Sequence, residues 1–259
     1  FITPVIQSAN IGNANIGATN DKAIDCMVKV LAFDTATSAC SVAIWRDGQI
    51  LAFQKEIRKR GHAERLFPMI EQVLADAGCA YDDFDLLAVT VGPGAFTGIR
   101  IGLAAARSLA LASGLPLLGV GSFEAVAHSI DKKERGDRYV FVALETKRAD
   151  VYGQMFAGDL SPVGAPLAVL PEALTDILPE LTQGGPALIA GDAGHRVMPV
   201  LTASSGDFKL GEADPYPDPA TIAAIALERW HLGAKEGASF AAPEPFYLRP
   251  PDVNLPDNR

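Results

Sequence analysis

Three features of the sequence carry residue types and spacings that chemistry could use. The first is Asp34-Thr35-Ala36-Thr37-Ser38, a carboxylate and three hydroxyls placed directly after an apolar run. On its own this reads as an Asp/Thr/Ser turn, whose short polar side chains bond the neighbouring backbone. The second is Gly92-Pro93-Gly94-Ala95-Phe96-Thr97-Gly98, a glycine-rich turn between an apolar strand and a helix. Thr97 is predicted to cap that helix, and a helix start attracts anions. The segment nevertheless lacks the GK[ST] ending of a P-loop and the spacing of a dinucleotide fingerprint. Packing explains it better: Gly98, Gly102, Ala105 and Ala106 thin one side of the helix so that another helix can approach. The third feature is the set His62, His128, His195 and His231 with Cys26, Cys40 and Cys79. The four histidines are mutually distant in sequence and nothing flags a second ligand beside any of them, so no metal site is expected. The odd cysteine count without CxxC implies neither a disulfide framework nor a zinc site, and Cys79 beside Gly78 reads as structural. No Ser-His-Asp order or cysteine nucleophile signature stands out.

Composition narrows the function classes. Lys plus Arg is 22 against 31 Asp plus Glu, a net charge of −9 over 259 residues, which argues against an autonomous nucleic-acid binder. Hydrophobic residues are 49% and charged residues 20%, which excludes a disordered chain. The longest weakly charged stretch, 99–120, contains Arg100, Arg107 and Pro116 and reads as helix then strand, not as a membrane span. With its unpaired cysteines, the chain is assigned to the cytoplasm.

The elements that must position these residues follow from periodicity. Residues 29–34, 40–45 and 50–57 read as three antiparallel strands, the last two joined at Asp47-Gly48. Residues 63–77 are apolar at helical spacing, with Pro68 near the start or at a bend and Gly78 as a stop. Strand 86–91, helix 99–113 and strand 115–120 then give the alternation of a parallel sheet with crossover helices. A short helix at 122–128 and a charged linker at 131–137 follow. Strands 138–144 and 150–156 repeat the opening hairpin, which raises a duplication without proving one. Helices at 171–181 and 219–230, a strand at 187–191 and an extended tail over 243–256 complete the reading. Residues 1–26 read as an atypical flexible extension rather than a secretory signal. The chain is divided into that extension, a first lobe at 27–130 and a second lobe at 131–259.

The opening Asp34–Ser38 turn followed by a hairpin resembles the phosphate turn of the actin, sugar-kinase and Hsp70 superfamily. That resemblance implies a two-lobed α/β fold with mixed sheets flanked by helices. It makes Asp34, Thr35, Thr37 and Ser38 a degenerate phosphate-binding turn, because Ala36 and Ala39 replace the usual glycines. Residues 91–103, taken with Gly61-His62-Ala63-Glu64-Arg65-Leu66-Phe67-Pro68, Asp34-Thr35 and Tyr247-Leu248-Arg249-Pro250-Pro251, resemble the bacterial TsaB (YeaZ) family. The likeness spans roughly residues 28–251. The hairpin from Glu145 to Tyr152 matches only in part, and no role is placed there.

The family takes part in making threonylcarbamoyladenosine at position 37 of tRNA. The resemblance implies a non-catalytic subunit without a cofactor. Such a subunit pairs with the catalytic paralogue TsaD, with itself when TsaD is absent, and works with the ATPase TsaE; tRNA is reached only through the complex. A separate enzyme supplies threonylcarbamoyl-AMP. Pairing is assigned to the first two helices, with contacts at His62, Arg65, Leu66, Met69, Val73, Phe96, Arg100, Leu103 and Arg107. The competing readings are an ATP-binding kinase-like enzyme using Asp34, a metallopeptidase-like protein, and a homodimeric interaction protein unrelated to tRNA.

Overall fold

In the computed structural model, residues 28–249 are described except 203, 205 and 236–239. The expectations for residues 1–26 and for the tail beyond 249 lie outside the described residues. Two five-stranded sheets are built in the same order. In the first, β1 (Lys29–Asp34) pairs antiparallel with β2 (Ala39–Arg46), β2 antiparallel with β3 (Gln49–Ile57), and β1 parallel with β4 (Leu86–Gly92), which in turn pairs parallel with β5 (Leu117–Gly121). In the second, β6 (Tyr139–Glu145) takes the place of β1. It is flanked by β7 (Val151–Phe156) and β8 (Pro162–Val169) on the antiparallel side and by β9 (Ala187–Ala190) and β10 (Phe208–Leu210) on the parallel side. The duplication raised by the hairpins is therefore a repeat of topology: this is the two-lobed, actin-like α/β fold.

Both faces of each central strand are covered, which is why these strands read as unbroken apolar runs. Leu31 and Phe33 of β1 point to α1 (His62–Ala77) and α2 (Phe96–Ser113), packing with Met69, Val73, Ile99 and Leu103. Val30 and Ala32 point the other way, against Ile222, Ala223 and Ala226 of α7 (Pro219–Lys235). The second sheet is sandwiched between α3 (Ser122–His128) on one face and α5 (Leu174–Leu181) with α6 (Gly194–Leu201) on the other. The boundary at 130/131 is thus crossed twice: α3 from before it packs on the second sheet, and α7 from after it packs on the first. Arg229 of α7 ties the two together through Glu124 of α3 at 2.5 Å and the Gly119 carbonyl at 2.8 Å.

Local chemistry sets the element ends. Asp47 and Gly48 both have positive φ, 49° and 82°, as a two-residue hairpin turn requires. Gly78 ends α1 in the left-handed region, φ 63°, letting the Cys79 N–H close onto the Leu74 carbonyl at 2.9 Å. Helix α1 starts at His62 and passes through Pro68, whose missing N–H falls on the exposed side of the helix. The predicted linker holds a single helical turn, α4 (Lys132–Arg135), capped by the Asp131 carboxylate on the Lys133 N–H. Among the described residues no helix is long and apolar enough to cross a membrane.

Candidate functional site

The carboxyl ends of β1, β4, β6 and β9 face one another across the space between the sheets, the usual place for a site in a sheet of this type. Asp34, the last residue of β1, is completely buried. One of its oxygens accepts from the Ala36 N–H at 2.9 Å and from the Thr90 hydroxyl, and the other accepts from the Thr37 hydroxyl at 3.1 Å. Burial raises its pKa to about 6 against the pull of those donors. Asp192, just after β9, lies opposite and accepts from the Glu145 N–H at 2.9 Å. Its pKa is likewise about 6, mainly through burial, with the charges of Glu145 and Asp34 adding to the shift.

The glycines after β4 determine what this turn can hold. A Cβ on Gly98 would lie 2.0 Å from the Thr35 carbonyl oxygen, one on Gly94 would lie 2.1 Å from that of Ala36, and one on Gly102 would lie 2.6 Å from the Thr35 hydroxyl. The start of α2 is pressed onto the turn, fastened by the Ala95 N–H on the Ala36 carbonyl at 2.6 Å and by the Thr35 hydroxyl on the Gly98 carbonyl at 2.7 Å. This corrects two expectations. Gly98 and Gly102 of α2 admit the β1 turn rather than a second helix, while Ala105 and Ala106 are buried in the core shared with α1. Helix α2 also begins at Phe96 with Ala95 at the cap position and no side-chain cap, so Thr97 lies inside the helix. Of the four predicted phosphate-turn residues, Thr35 and Thr37 are buried with Asp34, and only Ser38 is half-exposed.

The nine predicted pairing residues separate into groups. Leu66, Met69, Val73 and Leu103 are core residues of the first sheet, each no more than 3% exposed, and cannot be contact residues of a folded chain. The hydrophobic stripe of an amphipathic helix marks the face turned toward its own sheet. His62 is 9% exposed at the first position of α1; its Nε2 has no hydrogen-bond partner, and burial lowers its pKa. Arg65 is engaged by Glu56 of β3, with Nε at 3.1 Å, and the Glu56 carboxyl is held down at about 2 by Arg65 and Arg58. Phe96 stacks against Tyr247 with ring centroids 4.9 Å apart. Arg100 lies over Phe96 at 3.7 Å and donates to the Tyr247 hydroxyl at 2.9 Å. Arg107 donates to the Pro243 carbonyl at 2.6 Å.

Among the residues that α1 and α2 expose to solvent are Ala63, Phe67, Ala104, Ser108 and Leu111, together with the predicted contacts Arg100 and Arg107; Phe67 is 43% and Leu111 88% exposed. The tail residues 240–249 run across the hinge between the sheets. The Phe246 N–H donates to the Val91 carbonyl at 2.7 Å, and Arg249 reaches Asp150 at 2.9 Å. They wall a cleft of about 620 Å³ with the start of α2 and the β6–β7 turn. Sequence reasoning missed that cleft because its walls come from three distant segments. Burial raises the Cys40 thiol to about 11, and among the described residues no three His, Cys, Asp or Glu side chains converge as metal ligands.

A family model for TsaD, described as tRNA N6-adenosine threonylcarbamoyltransferase, matches residues 51–187. The tRNA threonylcarbamoyladenosine biosynthesis protein TsaB of Escherichia coli K12 is 31% identical over 226 residues, 86% of this chain and 95% of that protein. The chain belongs to the TsaB (YeaZ) family. An uncharacterized protein of Mycobacterium tuberculosis H37Rv is 34% identical over 229 residues, covering 86% of this chain and 93% of that one. The solved structure of YeaZ from Pseudomonas aeruginosa superimposes with a TM-score of 0.66 at 28% identity, over 83% of this chain and all of that one. The whole length of that neighbour is thus matched by part of this TsaB-family chain.

Proposed function

We propose that this chain serves tRNA threonylcarbamoyladenosine biosynthesis as a non-catalytic subunit. It pairs with a TsaD catalytic subunit, works beside the TsaE ATPase, and pairs with itself when TsaD is absent. The observation that carries the non-catalytic part is the filled β1 turn. Asp34 spends both oxygens on Thr90, Ala36 and Thr37, and the start of α2 occupies the space beside the turn where a nucleotide phosphate would sit. Asp34, Thr35, Thr37 and Ser38 are then structural residues, and no cofactor is required of them. The catalytic paralogue holds its metal through two histidines one turn apart on its first helix, and Leu66, in the core one turn after His62, supports reading α1 without that pair.

The pairing surface is the outer face of α1 and α2, redrawn from the buried stripe to Ala63, Phe67, Ala104, Ser108 and Leu111. Small residues flanked by Phe67 and Leu111 allow helices of a partner to pack closely, and a buried aromatic anchor supplies most of the binding energy of such contacts. The deciding experiment is size-exclusion chromatography with light scattering on the chain alone and mixed with a cognate TsaD. The expected result is a homodimer that exchanges into a mixed complex. A monomer that ignores TsaD overturns the reading, and threonylcarbamoyl transfer by the highly purified chain alone overturns its non-catalytic part.

A further inference from the structure

A second cavity, of about 360 Å³, lies where the two halves of the chain meet, and none of its walls belongs to α1 or α2. Gly92 and Gly121 bring the ends of β4 and β5 to it, Phe123 comes from α3, and Phe156 and Pro162 come from the second sheet. It touches the larger cleft only at Pro93 and Phe246. Phe123 and Phe156 are buried, and with Phe246 and Pro166 they make the walls mainly apolar. Its volume is near the lower end for small-ligand sites, about 300–1,000 Å³, which suits a fused pair of rings better than a nucleotide.

One polar side chain stands out among these walls. Alternation along β7 sets Gln154 on the α3 side of the sheet, with Tyr152 and Phe156, and it is only 5% exposed. Gly153 pairs with Leu167 and Met155 with Val163, so residues 164–166 of β8 bulge opposite Gln154. Its Nε2 fills the gap, donating to the carbonyls of Met155 at 3.0 Å, Gly164 at 3.3 Å and Val163 at 3.4 Å. Three carbonyls on one side fix which way the amide is turned, because its oxygen could only be repelled there. Among the described residues no donor reaches Oε1, and this oxygen is not one of the partnerless polar atoms sealed inside the fold. It therefore opens on the cavity that Gln154 lines. The charged residues of the wall, Glu124 and Arg229, are already paired: both Glu124 oxygens accept from Arg229 at 2.5 Å, and Arg229 also donates to the Gly119 carbonyl. The cavity thus offers apolar rings, a paired charge and one acceptor lacking a donor, a group that gains a full hydrogen bond when a donor is brought to it.

We propose that this cavity binds a neutral, flat aromatic heterocycle whose ring N–H donates to Gln154 Oε1, with Phe123, Phe156 and Phe246 around the rings. Because its walls come from both sheets, the bound heterocycle bridges the two halves. The site uses neither the Asp34 turn nor the outward face of α1 and α2, and it does not depend on the tRNA reading.

The test is a titration of the full chain with indole, followed through the amide resonances in NMR, beside the same titration with benzofuran, which carries an oxygen in place of the N–H. Indole is expected to saturate one site and benzofuran to bind about fivefold more weakly, the worth of one hydrogen bond to a neutral acceptor. Gln154→Leu should bring the two probes to equal affinity. That variant also deprives the β8 carbonyls of their donor, so Gly121→Leu serves as a second one. A Cβ at Gly121 comes no closer than 3.8 Å to Glu124 or Gly92, so the added side chain fits beside the cavity wall, and it should weaken indole at least tenfold with Tm unchanged. No saturable indole binding, or indole binding that Gly121→Leu leaves unchanged, overturns the site. Equal affinity of indole and benzofuran for the parent chain overturns the role of Gln154.

Discussion

Asp34 is catalytic by residue type, yet both its oxygens are engaged inside the fold by Thr90, Ala36 and Thr37. Its carboxyl is fully buried with a pKa of about 6, against 3.8 in the unfolded chain. The folded state therefore binds the extra proton between those values, and the contribution of Asp34 to stability falls as pH rises from about 4 to 6 and stays low above that. Asp34→Asn removes this penalty while keeping an acceptor for Thr90 and Ala36 and offering a donor to Thr37. At pH 8 the variant is expected to be at least as stable as the parent, by up to about 3 kcal/mol from the size of the shift. The gap should close near pH 3.5. Urea unfolding at a series of pH values measures this, and a variant that is less stable at pH 8 would show that the ionised carboxylate is needed by its donors. The turn itself was legible in the sequence. Its filled state was not, because that depends on contacts with Gly94 and Gly98 some 60 residues away.

At the level of elements, the same glycines explain why α2 starts where it does. Gly98→Ala would drive a methyl into the Thr35 carbonyl, which is backbone and cannot rotate away. The expected cost is about 1–3 kcal/mol or more, read as a lower urea midpoint with an unchanged slope. Gly114→Ala, with open space around its Cβ, should show only the smaller penalty of its left-handed φ of 71°. The first sheet, α1, α2 and the repeated hairpin were visible in hydrophobic period and turn residues. The second half was less so. Strand β8 carries Pro162, Gly164 and Pro166, which mask a strand pattern and are tolerated because β8 is an edge strand. Helix α6 is eight residues long with Pro199 inside, and β10 has three residues, too short for periodicity to show.

For the whole molecule, the stripe of α1 and α2 that the sequence assigned to pairing faces the protein's own first sheet. Leu66, Met69, Val73 and Leu103 stand out because they are periodic, and they are periodic because they face the sheet. A charge at Leu103 would unfold the chain rather than test an interface. Phe67→Glu with Leu111→Asp alters exposed positions instead, and should leave Tm within a few degrees while weakening association with TsaD at least tenfold. Unchanged affinity in light scattering or calorimetry would move the interface elsewhere.

The exchange of helices between the halves has a consequence for how the chain is made. One face of the first sheet, formed by Val30, Ala32, Leu86, Ala88, Leu118 and Val120, is complete once β5 has been synthesised, yet its cover, α7, begins at Pro219. Ribosomes add about 5–20 residues per second. The nascent chain therefore carries an uncovered apolar sheet face for roughly 5–20 s before α7 is even translated, and it is during synthesis, rather than after it, that this protein has most need of a chaperone.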